Sequence, residues 1–341
     1  MSAVLARPPL PRELYQPSAW GAAAFIGYAV GMFVIPAYLI RQAASLDAPL
    51  AARGLVILPL LVLAQQGIHL LGWVGHEGFH LSLHRNKYVS AFLGIFFSSM
   101  IVSFFQIGAS ISHWNHHRYT NQAADPDCEI FTRFKTFWSR LLFGRVTANR
   151  IYMRNTVKMA LGRPLPYPYK LPFPPAMVPV FAWTNIFCSA SWLSVYGIIA
   201  FSDPLAGLLS IALPHMVGTC YTGLRSYVEH AGTGLGTFHD SRTRTSAFFT
   251  FFYFWNNYHL EHHLYPAVPC YRLVAVHRYL KERGYYERAG SPIESTVLGA
   301  YAHVTSRSAY PEAAAAPEEI ENPLVRIEVM GGSDASGLVQ S

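Results

Sequence analysis

Residues 21–40, GAAAFIGYAVGMFVIPAYLI, carry no charged side chain over 20 positions. At about 1.5 Å of helical rise per residue, such a run matches the roughly 30 Å hydrocarbon core of a bilayer. Four more apolar runs follow, at 54–75, 88–112, 171–201 and 204–224. Backbone amides in lipid must be satisfied within the segment, so these runs predict helices rather than open sheet. Composition agrees: 52% of the 341 residues are hydrophobic and 13% charged, against about a quarter charged in soluble domains. Met1–Ala19 is proline-rich, carries Arg7, Arg12 and Glu13, and lacks the apolar centre of a cleaved signal.

Histidines gather beside these runs. His259, His262 and His263 in NNYHLEHHLYP stand at i, i+3 and i+4, and His113, His116 and His117 in HWNHH repeat that spacing. On a helix those offsets share one face. His76 and His80 in HEGFH add an i, i+4 pair. If the clusters form one site, the five runs cannot all be simple crossings. A full crossing by 88–112 would separate His80 from His113, so that run, which contains Ser98, Ser99, Ser103, Gln106, Ser110 and Ser112, is expected to be bent, re-entrant or interfacial. The remaining runs give about four transmembrane helices, 171–224 forming a hairpin that returns the chain to the histidine face.

The expected fold is therefore an all-α integral membrane protein with re-entrant or interfacial helices and a cytoplasmic helical cap carrying the clusters. Residues 1–18 form an N-terminal cytoplasmic segment, 19–288 the membrane domain and 289–341 a tail, largely disordered after about 309. Between Arg118 and Lys170 lie ten Lys or Arg and three acids, whereas 41–53 and 202–203 are nearly neutral. The positive-inside rule then puts the site and both termini in the cytoplasm. The net charge of +7 has this use, and no nucleic-acid module accompanies it. Cys128, Cys188, Cys220 and Cys270 form no C-x-x-C pair and read as small apolar residues.

Eight converging imidazoles exceed what one zinc takes, about three or four protein ligands, so two metal ions are implied, their identity left open by ligand type. The ordered set HEGFH, HWNHHRYTNQAADPD, RSYVEHAG and NNYHLEHHLYPAVPCYRL resembles the membrane fatty acid desaturase and hydroxylase superfamily, histidine-box enzymes with a non-haem di-iron centre. The match spans about 55–285. The resemblance implies two iron ions with dioxygen as co-substrate, and a ninth ligand at His230. The metal-binding and catalytic set it implies is His76, His80, His113, His116, His117, His230, His259, His262 and His263. Ser226 stands where the animal acyl-CoA branch has an asparagine that contacts iron through water. His84, in LSLHRNK, resembles a histidine that carotenoid-hydroxylase relatives carry, and is an additional candidate ligand or a capping residue.

Glu77, Asp125, Asp127, Glu229 and Glu261 adjoin these histidines and suit acceptance of the ring N–H turned away from metal, with helix capping as the alternative for Asp125 and Asp127. His69 and His215, within apolar runs, read as buried satisfied residues, and His239, His277 and His303 as solvated ones. Phe248, Phe249, Phe251, Phe252, Phe254 and Trp255 read as an interfacial belt before a lipid channel. The implied reaction is oxygen-dependent desaturation of a long-chain fatty-acyl lipid. Hydroxylation or ketolation of a carotenoid or similar lipid is the alternative, and a non-enzymatic zinc-containing membrane receptor the contrasting class. No haem, flavin or iron–sulfur motif is present in the sequence, so an external ferredoxin or cytochrome is expected to supply electrons. The basic stretch Arg133–Lys170 is its candidate dock, with membrane lipids as the competing partner.

Overall fold

The computed structural model describes residues 6–305, apart from 166–168, 170 and 297. The tail for which disorder is expected lies beyond the described residues. Among the described residues four helices are long and apolar enough to cross a bilayer: α1 (Ala19–Ala44), α2 (Leu50–Phe79) and, later in the chain, Met177–Ser202 and Pro204–His230. With almost all other elements helical, the chain is an all-α membrane protein.

Helix α2 changes character along its length. Leu50, Leu55, Leu58 and Val62 in its first half are exposed, whereas almost every residue from Ala64 to Phe79 is buried. Thirty residues at about 1.5 Å each outreach the bilayer core, so the last turns carry His76 out of the lipid and into the protein.

The third apolar run does not cross. It forms α3 (Lys87–Ser98), of 12 residues and so only about 18 Å long, then breaks and restarts as α4 (Gln106–Tyr119). Ser103 at the break is left-handed, φ 63°. Irregular backbone at membrane depth needs polar partners, and the crossing helices supply them. Asn185 donates from Nδ2 to Ser99 Oγ and accepts the Ile107 N–H, both at 3.0 Å, while Tyr196 Oη donates to the Met100 carbonyl at 2.8 Å. His215 Nε2 lies 3.2 Å from the same carbonyl and its Nδ1 2.8 Å from Ile211 O. His215 is thus a satisfied buried histidine, as expected.

Two close approaches fix this bend against its neighbours. A Cβ on Gly78 of α2 would stand 2.6 Å from Gly94 Cα of α3, and one on Gly108 of α4 would stand 2.0 Å from Tyr152 O. Tyr152 belongs to α6 (Arg145–Ala160), which follows the short α5 (Pro126–Phe131). The second hairpin is α7 (Met177–Ser202) and α8 (Pro204–His230). Its turn meets the first hairpin's turn through Arg41 Nε and Asp203 Oδ2, 2.6 Å apart. Both hairpins therefore close at one end of the bundle, and the ends of α2 and α8 emerge together at the other.

There α9 (Ala247–Tyr253), α10 (His259–Leu264) and α11 (Leu273–Glu282) close over the bundle. Tyr258, Leu260, Leu264, Leu273, Val276 and Leu280 join one apolar core with α1 and α2. The chain past Arg288 stays packed: Thr243–Arg244 pairs in parallel with Ile293–Glu294, and α12 (Leu298–Thr305) accepts a 2.8 Å bond from Arg140 Nη1 at Val304 O. At the other terminus Arg7 Nη1 donates to Leu264 O and Tyr265 Oη donates to Pro8 O, both at 2.6 Å, so the N-terminal segment straps α10.

Candidate metal centre

Each histidine arrives at a helix end. His76 lies in the last turn of α2 and His80 caps it; His113, His116 and His117 close α4; His230 ends α8; His259, His262 and His263 make up half of α10. All nine converge and they sort into two groups. His76, His80, His113, His117 and His262 have ring nitrogens within 4.8 Å of one another, as do His116, His230 and His263, while His259 joins the second set through His230. In the first group, Nε2 of His113 lies 2.8 Å from Nε2 of both His76 and His117, and His117 lies 3.0 Å from His262. In the second, Nε2 of His259 lies 3.1 Å from those of His230 and His263. The rings of His117 and His263, 4.4 Å apart, join the groups.

These nitrogens present lone pairs to each other in a buried volume. Buried polar atoms without partners are costly, yet His80 has neither ring nitrogen bonded within the protein. Burial and then repulsion from neighbouring imidazoles hold His80, His113, His117, His259, His262 and His263 well below the usual histidine range. Neutral imidazole is the ligand form. The donor set fits metal: at bonds of about 2.1 Å, ligands at right angles stand about 3.0 Å apart, and tetrahedral ones about 3.4 Å.

Four of the outer ring nitrogens lie near oxygen, three of them hydrogen-bonded. His116 Nδ1 lies 2.9 Å from Asp125 Oδ2, His76 Nδ1 3.2 Å from Glu77 Oε1, and His259 Nδ1 3.2 Å from Glu229 Oε1. His230 Nδ1 lies 2.9 Å from the carbonyl of Asp240. Asp125 also accepts the Asp127 N–H at 2.8 Å as the cap of α5, so it serves as both orienting acceptor and cap. His116 differs electrostatically: burial opposes its charge, but Asp125 and Asp127 carry it up to about 9.

Several sequence expectations are corrected. His84 is exposed, and its Nδ1 accepts the Asn86 N–H at 2.9 Å; the turn after α2 points it away from both groups. Glu261 sits beside ligand-type histidines in sequence, but α10 turns it to the opposite side, where it accepts from Thr243 Oγ1, Tyr286 Oη and His277 Nδ1. His277 is consequently buried, not solvated. His303 is half-buried, 3.0 Å from Arg244 Nη2. Asp127 Oδ2 stays 4.0 Å from His116. Asp240 was invisible as a partner because it lies in an irregular loop, outside every histidine pattern.

A cavity of about 130 Å³ touches both groups, at His76, His80 and His113 and at His116, His230 and His259. Trp73, Phe79, Phe104 and Tyr152 line it, together with Ser226. His69 lines it too, its Nε2 accepting from Trp73 Nε1 at 3.0 Å. None of the aromatic residues between Phe248 and Trp255 does. Phe248 and Phe251 are exposed, and Phe254 stacks on Phe25 at 5.0 Å, which favours the belt over the channel.

A buried histidine cage able to hold metal, set where membrane-crossing helices end, makes this a multi-pass membrane protein with a candidate metal site. The fatty acid desaturase family model matches residues 51–295, more than two thirds of the sequence, and the chain belongs to that family. No curated relative matches it.

Proposed function

We propose that the protein is an oxygen-dependent fatty-acyl lipid desaturase that holds two iron ions, one in each histidine group. The observation that carries this reading is the sorting of nine imidazoles, seven of them buried, into five and four, with three of each group lining one cavity. Five donors exceed the three or four protein ligands of a zinc site, and separations of 2.8–3.1 Å suit right-angled rather than tetrahedral coordination. A zinc receptor needs only one of the groups.

When bound, iron together with dioxygen and two electrons supplies the power to take hydrogen from an unactivated C–H bond, which no side chain can do. Desaturation then balances as two substrate hydrogens, two supplied protons, two electrons and dioxygen giving two waters. The protein's own residues position and protect. Asp125, Glu77 and the Asp240 carbonyl take the outer ring N–H of His116, His76 and His230, so the Nε2 of each faces inward, while the Glu229 carboxylate lies 3.2 Å from His259 Nδ1 without a hydrogen bond. Trp73, Phe79 and Phe104 present apolar wall beside the histidines and exclude water from the reacting segment.

The site and both termini face the cytoplasm in this reading, because the basic stretch lies on the histidine side. An external ferredoxin or cytochrome delivers electrons there. The dock is narrower than the whole stretch: Arg140 is buried and Arg145 lines the cavity, leaving Arg133, Lys135, Arg150, Arg154 and Arg163 exposed among the described residues. The test is metal analysis of the purified chain and the lipid profile of cells expressing it, against His116→Ala. Two irons per chain and a new double bond that vanishes in the variant are expected. One zinc per chain and an unchanged profile would refute the reading.

A further inference from the structure

The cavity beside the histidines is not a plain hydrocarbon slot. Four charged residues line it: Asp127, Arg145, Arg225 and Glu229. Two of them satisfy one another, since Arg225 pairs with Glu229, donates to Asn256 O at 3.1 Å and lies 4.0 Å over the Tyr253 ring. The other two do not. Arg145 is clamped between aromatic faces, 5.0 Å from the Phe104 centroid and 5.8 Å from that of Tyr152, and makes no hydrogen bond or ion pair among the described residues. The Asp127 charge is felt at Arg145, yet the two form no ion pair among the described residues; the Asp127 carboxylate accepts no hydrogen bond there, and its ion-pair partner, His116 Nδ1, stands 4.0 Å from its Oδ2, beyond hydrogen-bonding distance.

A guanidinium offers five N–H donors and a carboxylate only acceptors. Methylene groups placed against both would leave their hydrogen-bonding atoms unpaired, which costs stability. A bound group that both accepts and donates satisfies the pair. A carboxylate head satisfies Arg145 but meets Asp127 with like charge, whereas a hydroxyl or primary amide accepts from one and donates to the other.

We propose that Arg145 and Asp127 bind a neutral polar head of the substrate, an alcohol or amide, a few carbons from the C–H bond that reacts. The short spacing follows from the cavity, whose single lining includes both the polar pair and histidines of both groups. This assignment rests on the reading of that cavity as the substrate site, and it narrows the substrate from acyl lipids at large to those carrying such a head.

The test is equilibrium binding of 1-octanol, octanamide, octanoate and octane to the full chain in nanodiscs, after subtraction of empty nanodiscs. Octanol and octanamide are expected to bind at least tenfold more tightly than octane and than octanoate. Arg145→Met and Asp127→Asn should erase that preference, Arg145→Lys should restore part of it, and Arg150→Met on the exposed face should leave it intact. Equal binding of all four probes, tightest binding of octanoate, or a preference that survives Arg145→Met would overturn the proposal. Metal content of the same preparations separates the two readings. A wild-type chain that lacks iron sinks the desaturase assignment whatever the head preference, and an iron-loaded chain without head preference sinks only this one.

Discussion

Asn185 replaces a helical partner that Ile107 lacks: its Oδ1 accepts the Ile107 N–H at 3.0 Å, because the residue four positions earlier, Ser103, is left-handed at φ 63°. The bend that returns α4 to the histidine face is thereby held by a side chain of a different, membrane-crossing helix. Leaving such a buried group unpaired costs about 1–3 kcal/mol. Asn185→Leu should therefore lower the apparent melting temperature in detergent and reduce metal content, since α4 brings three of the nine histidines. Unchanged melting would show that the bend does not depend on this bond.

Removing one of nine ligands should disturb chemistry before it empties the site. His230→Ala is expected to stay folded and keep most of its iron yet lose product formation. His239→Ala, in the loop beyond and outside both histidine groups, should match wild type. Equal activity of the two variants removes His230 from the centre.

Metal uptake should be linked to protons unequally. His116 rises to about 9, so at pH 7 the free protein carries a proton there that metal must displace. The imidazoles of the first group lying outside the spanning helices are held neutral. Filling the second group should thus release about one proton, with apparent affinity climbing roughly tenfold per pH unit up to about 9. Asp125→Asn, which withdraws the charge holding that proton, should abolish the release. An indicator dye added with Fe²⁺ to metal-free protein reads it, and no release from wild type at pH 7 contradicts the linkage.

Labelling tests the topology. With Cys128, Cys188, Cys220 and Cys270 replaced, Arg85→Cys and Arg163→Cys should react from the cytoplasmic side and Asp47→Cys from the other. All three positions are exposed. Reaction of Arg85→Cys and Arg163→Cys from opposite sides would mean that residues 88–112 cross the membrane.

The crossing helices, the bent third run and the convergence of three histidine clusters were legible because lipid imposes length and because i, i+3, i+4 spacing imposes a shared face. Partners across the chain were not. Nothing local distinguishes Glu77, which meets His76, from Glu261, which faces away to His277 and Tyr286; both simply follow or precede a histidine. The polar residues of the bend were visible as unusual for lipid, but their partners Asn185 and Tyr196 sit in a helix that looks ordinary in sequence. Arg145 read as one more cation of a basic loop, since only the packing of α6 against α4 turns it inward.

The division of the histidines also carries an order in time. Synthesis proceeds from the N-terminus at about 5–20 residues per second, and four of the five histidines of the first group, His76, His80, His113 and His117, are made before residue 118. The second group then has only His116 and waits for His230, His259 and His263. The N-terminal strap cannot dock until Leu264 and Tyr265 exist. Four histidines of one group are thus made while two crossing helices are still to come, but α4 is pinned only once Asn185 follows, and the other group is completed only as the cap closes. A nascent chain released before residue 185 would carry those four histidines without the side chain that holds α4 beside α2, so both groups depend on segments made late.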